Sequence, residues 1–399
     1  MKSSTETNVP ELRFPEFEGE WKISNLGKSS NMKAGNFVPA KKIKDIETEY
    51  NYPCYGGNGL RGYTKSFTHV GKFSLIGRQG ALCGNVKLVE GKFHATEHAV
   101  VVKHEKDIDT DFLFYTLKIL KLNRYATGQA QPGLSISNIE SVKFSFPQLP
   151  EQQKIADFLS QVDRKIDLLQ QKVSALEQYK KGVMQQLFSQ QLRFKDDDGN
   201  DFLEWEEKKL GEIGVFKTSS VDKKSKNDQN EVFLINYMDV YKHKTINNEN
   251  INSFQVVTAN VTQIKSSNIK KGDILFTPSS ETPSDIGHSV VIFENIENAV
   301  FSYHLIRFRP NIKLNLLYSH YFCNIPKVLK QISKFATGST RFTISSKNFS
   351  NITVDLPCFE EQIKIANFLS SIDQKIAHTQ EQLEQTQNFK KGLLQKMFV

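Results

Sequence analysis

One stretch of this chain occurs twice. Residues 151–188 read EQQKIADFLSQVDRKIDLLQQKVSALEQYKKGVMQQLF, and residues 361–398 read EQIKIANFLSSIDQKIAHTQEQLEQTQNFKKGLLQKMF. The offset is 210 residues, with no gap. Of the 38 paired positions 17 are identical, where average composition would give about two or three. A repeat on this scale fixes the architecture before any local reading begins.

The repeated stretch has the period of a long helix. Ile155, Val162, Leu169, Leu176 and Val183 recur every seven residues, and Leu159, Ile166, Val173, Lys180 and Leu187 form a second such row. The rows interleave at steps of four and three, which is a coiled-coil seam. At 1.5 Å per residue the stretch makes a rod about 57 Å long. The second copy carries Ile365, Ile372, Thr379, Thr386 and Leu393 in one row, and Leu369, Ile376, Leu383, Lys390 and Met397 in the other. Its two threonines weaken that seam. Pro147 and Pro357 end the extended segments before the rods. Glu151 and Glu361 fall where a helix N-terminus favours negative charge.

The segments before each rod share a frame. Leu12-Arg13-Phe14 returns as Leu192-Arg193-Phe194, Glu20-Trp21 as Glu204-Trp205, and Leu26-Gly27 as Leu210-Gly211. Residues 272–276 stand where 71–75 stood, and His304 where His98 stood. RYATGQAQPGLSIS at 124–137 returns at the 210 offset as KFATGSTRFTISSK. Between these markers the two segments diverge. The sequence therefore predicts two mixed domains with one frame and unlike surfaces. Because domain termini lie close together, the second rod starts beside the end of the first and runs back antiparallel.

At 399 residues the chain is long enough for two or more domains. No run of about 18 apolar residues is present, which excludes a membrane span. Four cysteines without metal spacing fit a reduced, cytoplasmic setting. Net charge is +8. The rods hold six basic against five acidic residues and five against four, so each is +1 and the remaining +6 lies outside them. That excess points to a polyanion, nucleic acid above all.

Enzymatic patterns are absent or weak. There is no GxxxxGK[ST] loop and no glycine fingerprint at a βα turn. His94-Ala-Thr-Glu97-His98 matches the H-x-x-E-H zinc pattern, but that pattern needs a helix and this stretch runs into a strand. Asp196–Asp201 is only loosely a calcium loop, its glycine misplaced. Glu207-Lys-Lys209 reads as surface charge.

The side chains that read base edges are better represented, in glycine-flanked loops. In the first domain they are Asn58, Arg61 and Tyr63, then Arg78 and Gln79, then Gln129 and Gln131. In the second they are Lys223, Lys224 and Lys226, then Tyr241, Lys242, His243 and Lys244, then Ser279 and Ser280, then Arg341. Gly182 and Gly392 each interrupt a rod after a lysine pair, at a cost of about 1 kcal/mol relative to alanine. Lys180, Lys181, Gly182, Lys390, Lys391 and Gly392 are accordingly read as a surface for a partner backbone.

P-x-x-x-E-Q-x-K-I-A-x-F-L-S-x-x-D-x-K-I followed by K-K-G-x-x-Q-x-x-F, twice, each after a variable domain, resembles the specificity subunit of Type I restriction–modification enzymes. The resemblance covers essentially the whole chain; Thr379 and Thr386 are its main departure. It implies an α+β fold: two target recognition domains, 1–147 and 190–357, separated by two long antiparallel coiled-coil helices, 148–189 and 358–399. It implies a non-catalytic subunit in which each domain reads one half of a bipartite double-stranded DNA target. The helices would set the spacer and dock two methyltransferase subunits, with restriction/translocase subunits joining them. S-adenosylmethionine, ATP and magnesium would be used by those partners, with no cofactor bound by this chain. Two other readings compete: a free-standing nuclease using carboxylates near 196–207, and a coiled-coil adaptor for proteins alone.

Overall fold

The computed structural model describes residues 8–49, 51–80, 82–128 and 132–399. The chain forms two units, one running to Lys172 and taking in Thr379–Val399, the other Val173–His378. Each unit holds one body of sheets and part of each of two long helices, Leu149–Phe188 and Phe359–Lys396. The fold is α+β with an internal repeat.

In the first unit a four-stranded antiparallel sheet has the order Ser30–Ala34, Ala99–His104, Phe73–Gly77, Val86–Val89. The inner strand Ala99–His104 opens on an apolar run, Ala99–Val102, because both faces are covered there. Val100 and Val102 face the helices together with Ile76, whereas Val101 and Leu75 face a second sheet, which is the alternation a strand imposes. That second sheet has the order Gly59–Thr64, Tyr52–Gly56, Lys92–Ala95, His69–Val70, its middle pair parallel.

The second unit repeats this plan. Gly214–Thr218, Ile306–Pro310, Ile274–Phe276 and Ser289–Val291 form the same antiparallel order. Gln255–Ala259 pairs antiparallel with Asn230–Ile235, which pairs parallel with Ala299–Phe301. The ladders correct one expected correspondence. Leu75 lies opposite Val101, and Leu275 lies opposite Arg307. With His98 matched to His304, Leu75 corresponds to Leu275 rather than to Phe276. The sequence match was anchored on Gly71 and Gly272, which stand at different distances from the equivalent strand residues Leu75 and Leu275.

A buried carboxylate seats each long helix. Glu151, 2% exposed, accepts two hydrogen bonds of 2.8 Å from the Arg13 guanidinium and one of 3.3 Å from Trp21 Nε1. Glu361, fully buried, accepts bonds of 3.3 and 3.0 Å from Arg193 and 2.9 Å from Trp205 Nε1. The next residue repeats a second contact. Gln152 bonds the Pro147 and Asp107 carbonyls and the Asp109 amide; Gln362 bonds the Pro357 carbonyl and the Asn315 amide. The repeated Leu-Arg-Phe opening is thus part of a helix seat.

Within each unit the helix segments run antiparallel. In the first, Ile155, Leu159, Val162 and Ile166 share a core with Leu393 and Met397. Phe398 stacks on Phe112 near the start of one helix while Lys390 pairs with Asp163 further along it. In the second, Val183 and Leu187 share a core with Ile365, Leu369 and Ile372. Thr379 and Thr386 are buried in the seam, and the Thr386 hydroxyl donates to the Gln382 carbonyl in its own helix.

Lys180 and Lys390, read from sequence as partner-facing, are engaged inside the chain. Lys390 pairs with Asp163, which also accepts from Tyr115 Oη at 2.8 Å. Lys180 pairs with Asp373 at 2.5 Å, which also accepts from Tyr321 Oη at 2.7 Å. Their place in the seam rows brings them to the opposite helix, so an acidic partner there replaces an apolar one. Among the described residues no helix is long and apolar enough to cross a membrane.

Removing Glu361 takes the buried carboxylate from Arg193, which keeps Glu204 and the Phe202 and Leu203 carbonyls, and takes the acceptor from the Trp205 indole N–H. Glu361→Ala should therefore cost about 3 kcal/mol or more, and Glu361→Gln less; urea unfolding of the two variants checks this. His320, half-buried at the end of Leu316–Phe322, has its pKa lowered, first by burial, then by Lys180 and His243, with Asp373 opposing. The unfolded chain then takes up a proton that the folded state refuses, so stability rises with pH in this window. Stability of the second unit should fall as pH drops through about 6.5. His320→Gln should flatten that decline in unfolding curves between about pH 7 and 5, leaving a residue from His304, whose pKa is also lowered.

Candidate nucleic-acid interface

The first domain gathers its candidates at a hairpin. Strands Tyr52–Gly56 and Gly59–Thr64 pair with a register shift. Gly62 lies opposite Cys54 and Leu60 opposite Tyr55, which leaves Arg61 without a partner as the extra residue of a β-bulge. Bulges of this kind re-aim a side chain. A cleft of about 370 Å³ follows, lined by Gly57, Asn58, Arg61, Gln79, Gly80 and His98. Glycine is required in its floor. A Cβ on Gly57 would lie 2.9 Å from the His98 carbonyl, and one on Gly77 would overlap the Gly57 carbonyl.

Tyr63 does not join this cleft. Its hydroxyl donates to Glu47 at 3.2 Å, and it lines a separate groove of about 890 Å³ with Lys41, Lys42, Lys44 and Lys65. Arg78 precedes Gln79, its backbone held by the His98 carbonyl and the Leu134 amide. Gln129 and Gln131 lie outside the described residues. Sequence reading missed His98 and the four lysines. The run Lys41-Lys42-Ile43-Lys44 was a signal for three of them.

In the second domain Tyr241, His243, Ser279, Ser280 and Arg341 meet in one polar network. Its centre is Asp285, which accepts from Tyr241 Oη at 3.1 Å, Ser280 Oγ at 3.2 Å and His288 Nε2 at 3.0 Å. These bonds, that of His288 first, hold its carboxyl below the usual range. His243 Nε2 lies 3.1 Å from His288 Nδ1. Arg341 donates to Ser279 Oγ at 3.3 Å, and Tyr237 donates to the Ser279 carbonyl at 2.7 Å. Lys223 and Arg341 both act on His304, depressing its pKa after burial has done so. Lys242 ends the helix Tyr237–Tyr241, while Lys244 turns back to pair with Asp239 at 2.6 Å. Lys226 is tied to Thr258 by its backbone, and Lys224 is exposed beside it. Asp285, His288 and Tyr237 were missed; no motif marks them.

The two domains bring the same loops together. Gln79 bridges to Gly133, and Ser279 pairs with Thr343. Thr127 bridges Gly133, and Thr337 bridges Thr343. The Ala-Thr-Gly loop thus closes over the end of the same core strand in both domains, with different side chains.

The other chemical patterns take structural roles. His94 is buried and bonds the Asn36 carbonyl at 3.1 Å, whereas His98 sits at the cleft beside Glu97, so the two do not share a face. Among the described residues no group of three His, Cys, Asp or Glu side chains could hold a metal. The Asp196 carboxylate accepts from the amides of Asp198 and Asn200, and those turn bonds, Asn200 first, lower its pKa. Lys181 and Gly182 are exposed, as is Lys391, and a Cβ on Gly182 or Gly392 would meet nothing within 4 Å. Crowding inside the chain therefore explains neither glycine.

Comparison with known proteins agrees with this architecture. The family model described as the Type I restriction modification DNA specificity domain matches residues 18–178 and again 203–388. The Type I restriction enzyme EcoprrI specificity subunit of Escherichia coli is 46% identical over 153 residues, which is 38% of each protein. The MjaVIII specificity subunit of Methanocaldococcus jannaschii is 24% identical over 96% of this chain and 92% of its own. A crystal structure of the Type I restriction–modification system S subunit from M. genitalium superposes with a TM-score of 0.63 at 18% identity, covering 98% of this chain and 99% of that one. The chain belongs to the Type I restriction modification DNA specificity family and carries its domain twice.

Proposed function

We propose that this chain is the non-catalytic DNA-reading subunit of a Type I restriction–modification complex. Each domain reads one half of a bipartite duplex target through the loops at the end of its core sheet. The observation that carries this reading is the repeated frame with unlike loops: one strand order, one loop closure, but Arg61, Asn58 and Gln79 in one domain and an Asp285-centred network in the other. Two readers of one design with different side chains suit an address in two unlike halves. Lys223, Lys224, Lys226, Lys242 and Lys244 supply charge for the phosphates. Tyr241, His243, Ser279, Ser280 and Arg341 stand nearer the base edges, and Arg78 and Tyr63 border the first reader.

The long helices set the spacer between the halves. Lys181, Gly182, Lys391 and Gly392 offer open helix surface to two methyltransferase subunits, which bring S-adenosylmethionine; restriction/translocase subunits bring the use of ATP and magnesium. Lys180 and Lys390 hold the helices rather than the partner. Methylation of an adenine requires that base to leave the stack, so the readers grip DNA strained by their partners. The complex acts on intracellular DNA.

Exchange of residues 10–147 for the corresponding domain of another family member tests the modular reading. In complex with its methyltransferase, the hybrid should methylate sites altered in one half and unchanged in the other, as mapped on genomic DNA. A change in both halves would remove the modular reading.

A further inference from the structure

We propose that the first domain divides its DNA contacts between two neighbouring surfaces, and that Arg61 reads the major-groove edge of a guanine in its half-site. This rests on the domain being a half-site reader.

The lining residues separate the two jobs. The larger groove has four lysines in its lining, Lys41, Lys42, Lys44 and Lys65, against one carboxylate, Asp45. Lysine is a point charge suited to phosphate. The cleft beside it has no lysine among the described residues of its lining; it presents Arg61, Asn58, Gln79 and His98 with Gly57 and Gly80. Arginine makes a bidentate contact with guanine O6 and N7, and amide side chains do so with adenine. A cleft of forked and amide donors is chemistry for base edges.

Arg61 is also held ready. Of the nine arginines in the chain, Arg13, Arg124, Arg193, Arg307, Arg309 and Arg341 each donate through the guanidinium to another residue. Arg61, although it lines a cleft, has no such bond to any described residue; nor do Asn58 and Gln79 through their side-chain amides. The bulge makes Arg61 the residue with no strand partner. Gly62 follows at φ +134°, where a Cβ would overlap the Lys44 carbonyl. Gly56 lies under the Arg61 stem, where a Cβ would sit 2.5 Å from its Cδ. The bulge, Gly62 and Gly56 thus serve one unpaired guanidinium. Unsatisfied polarity gathers at the same place: Thr96 Oγ1 and Glu97 Oε2, just before His98, are buried without a hydrogen-bond partner among the described residues.

The test uses the full chain assembled with its methyltransferase subunits in a host that lacks methylation at these sites. Methylated adenines are mapped for the parent, Arg61→Ala and Arg61→Lys. Both variants should lose discrimination at one G·C pair in one half of the target by about 10- to 100-fold, with every other position kept. Lysine fails with alanine because it lacks the fork. An unchanged motif with uniformly weaker methylation, or full rescue by lysine, would make Arg61 a phosphate contact and overturn the inference. If methylation disappears, competition binding of the assembled complex to single G·C substitutions of the parent target reads the same ratio. The half-site reading fails separately, through a change in the other half or through the domain exchange.

Discussion

A carboxylate buried in the first turn of each long helix is the contact on which the rest of the structure depends. Glu151 and Glu361 lie at a helix N-terminus, where the backbone favours negative charge, and each is locked there by an arginine and a tryptophan from the start of its domain. Such a buried pair is not a large net source of stability, since desolvation offsets most of the attraction. Its effect is positional. A forked guanidinium on a carboxylate admits one geometry, so the domain meets its helix in one pose. The pose is the same in both units because the same three residues set it.

From that seat the remaining architecture follows. The helix carries a seam residue every three or four positions, and its aspartate about three turns further on takes a tyrosine from the domain and a lysine from the other helix. Burial, with the aspartate second, pushes the Tyr115 and Tyr321 phenols up. The core sheet stands on the helix face, and its far ends carry the loops. Because the frame is fixed from below, the loops are free to differ. One domain presents unpaired arginine and amides; the other presents side chains already bonded to one another around Asp285.

Much of this was legible in the sequence, for physical reasons. A gapless repeat with heptad rows reports helix pairing directly, and the antiparallel course followed from domain termini lying together. Arg13 and Trp21 were visible as repeated letters, but their shared target, Glu151, was not, since an ion pair across 138 residues leaves no local period. Seam position alone placed Lys180 and Lys390 among apolar rows; which aspartate they would meet depends on the offset between helices, which letters do not fix. Arg61 and Tyr63 read as neighbours in one glycine-flanked loop; they lie on a strand, where Arg61 is the bulge residue and the two line different surfaces. His288 and Asp285 come from a segment around the short turn Pro283–Asp285, and the contacts with Tyr241 and His243 that join them into a network come from 44 and 45 residues away.

The central claim is that each reader is built across both repeats, so that the end of the second helix completes the core of the first unit. Leu393, Met397 and Phe398 pack there against Trp21 and Phe112, and burial of such side chains is worth about 1.5–3 kcal/mol each. Hydrogen exchange on a chain ending at His378 measures this directly. The account predicts that amide protection in Thr110–Ile119 collapses while the strand Ile306–Pro310 keeps its protection. Unchanged protection in Thr110–Ile119 would contradict it.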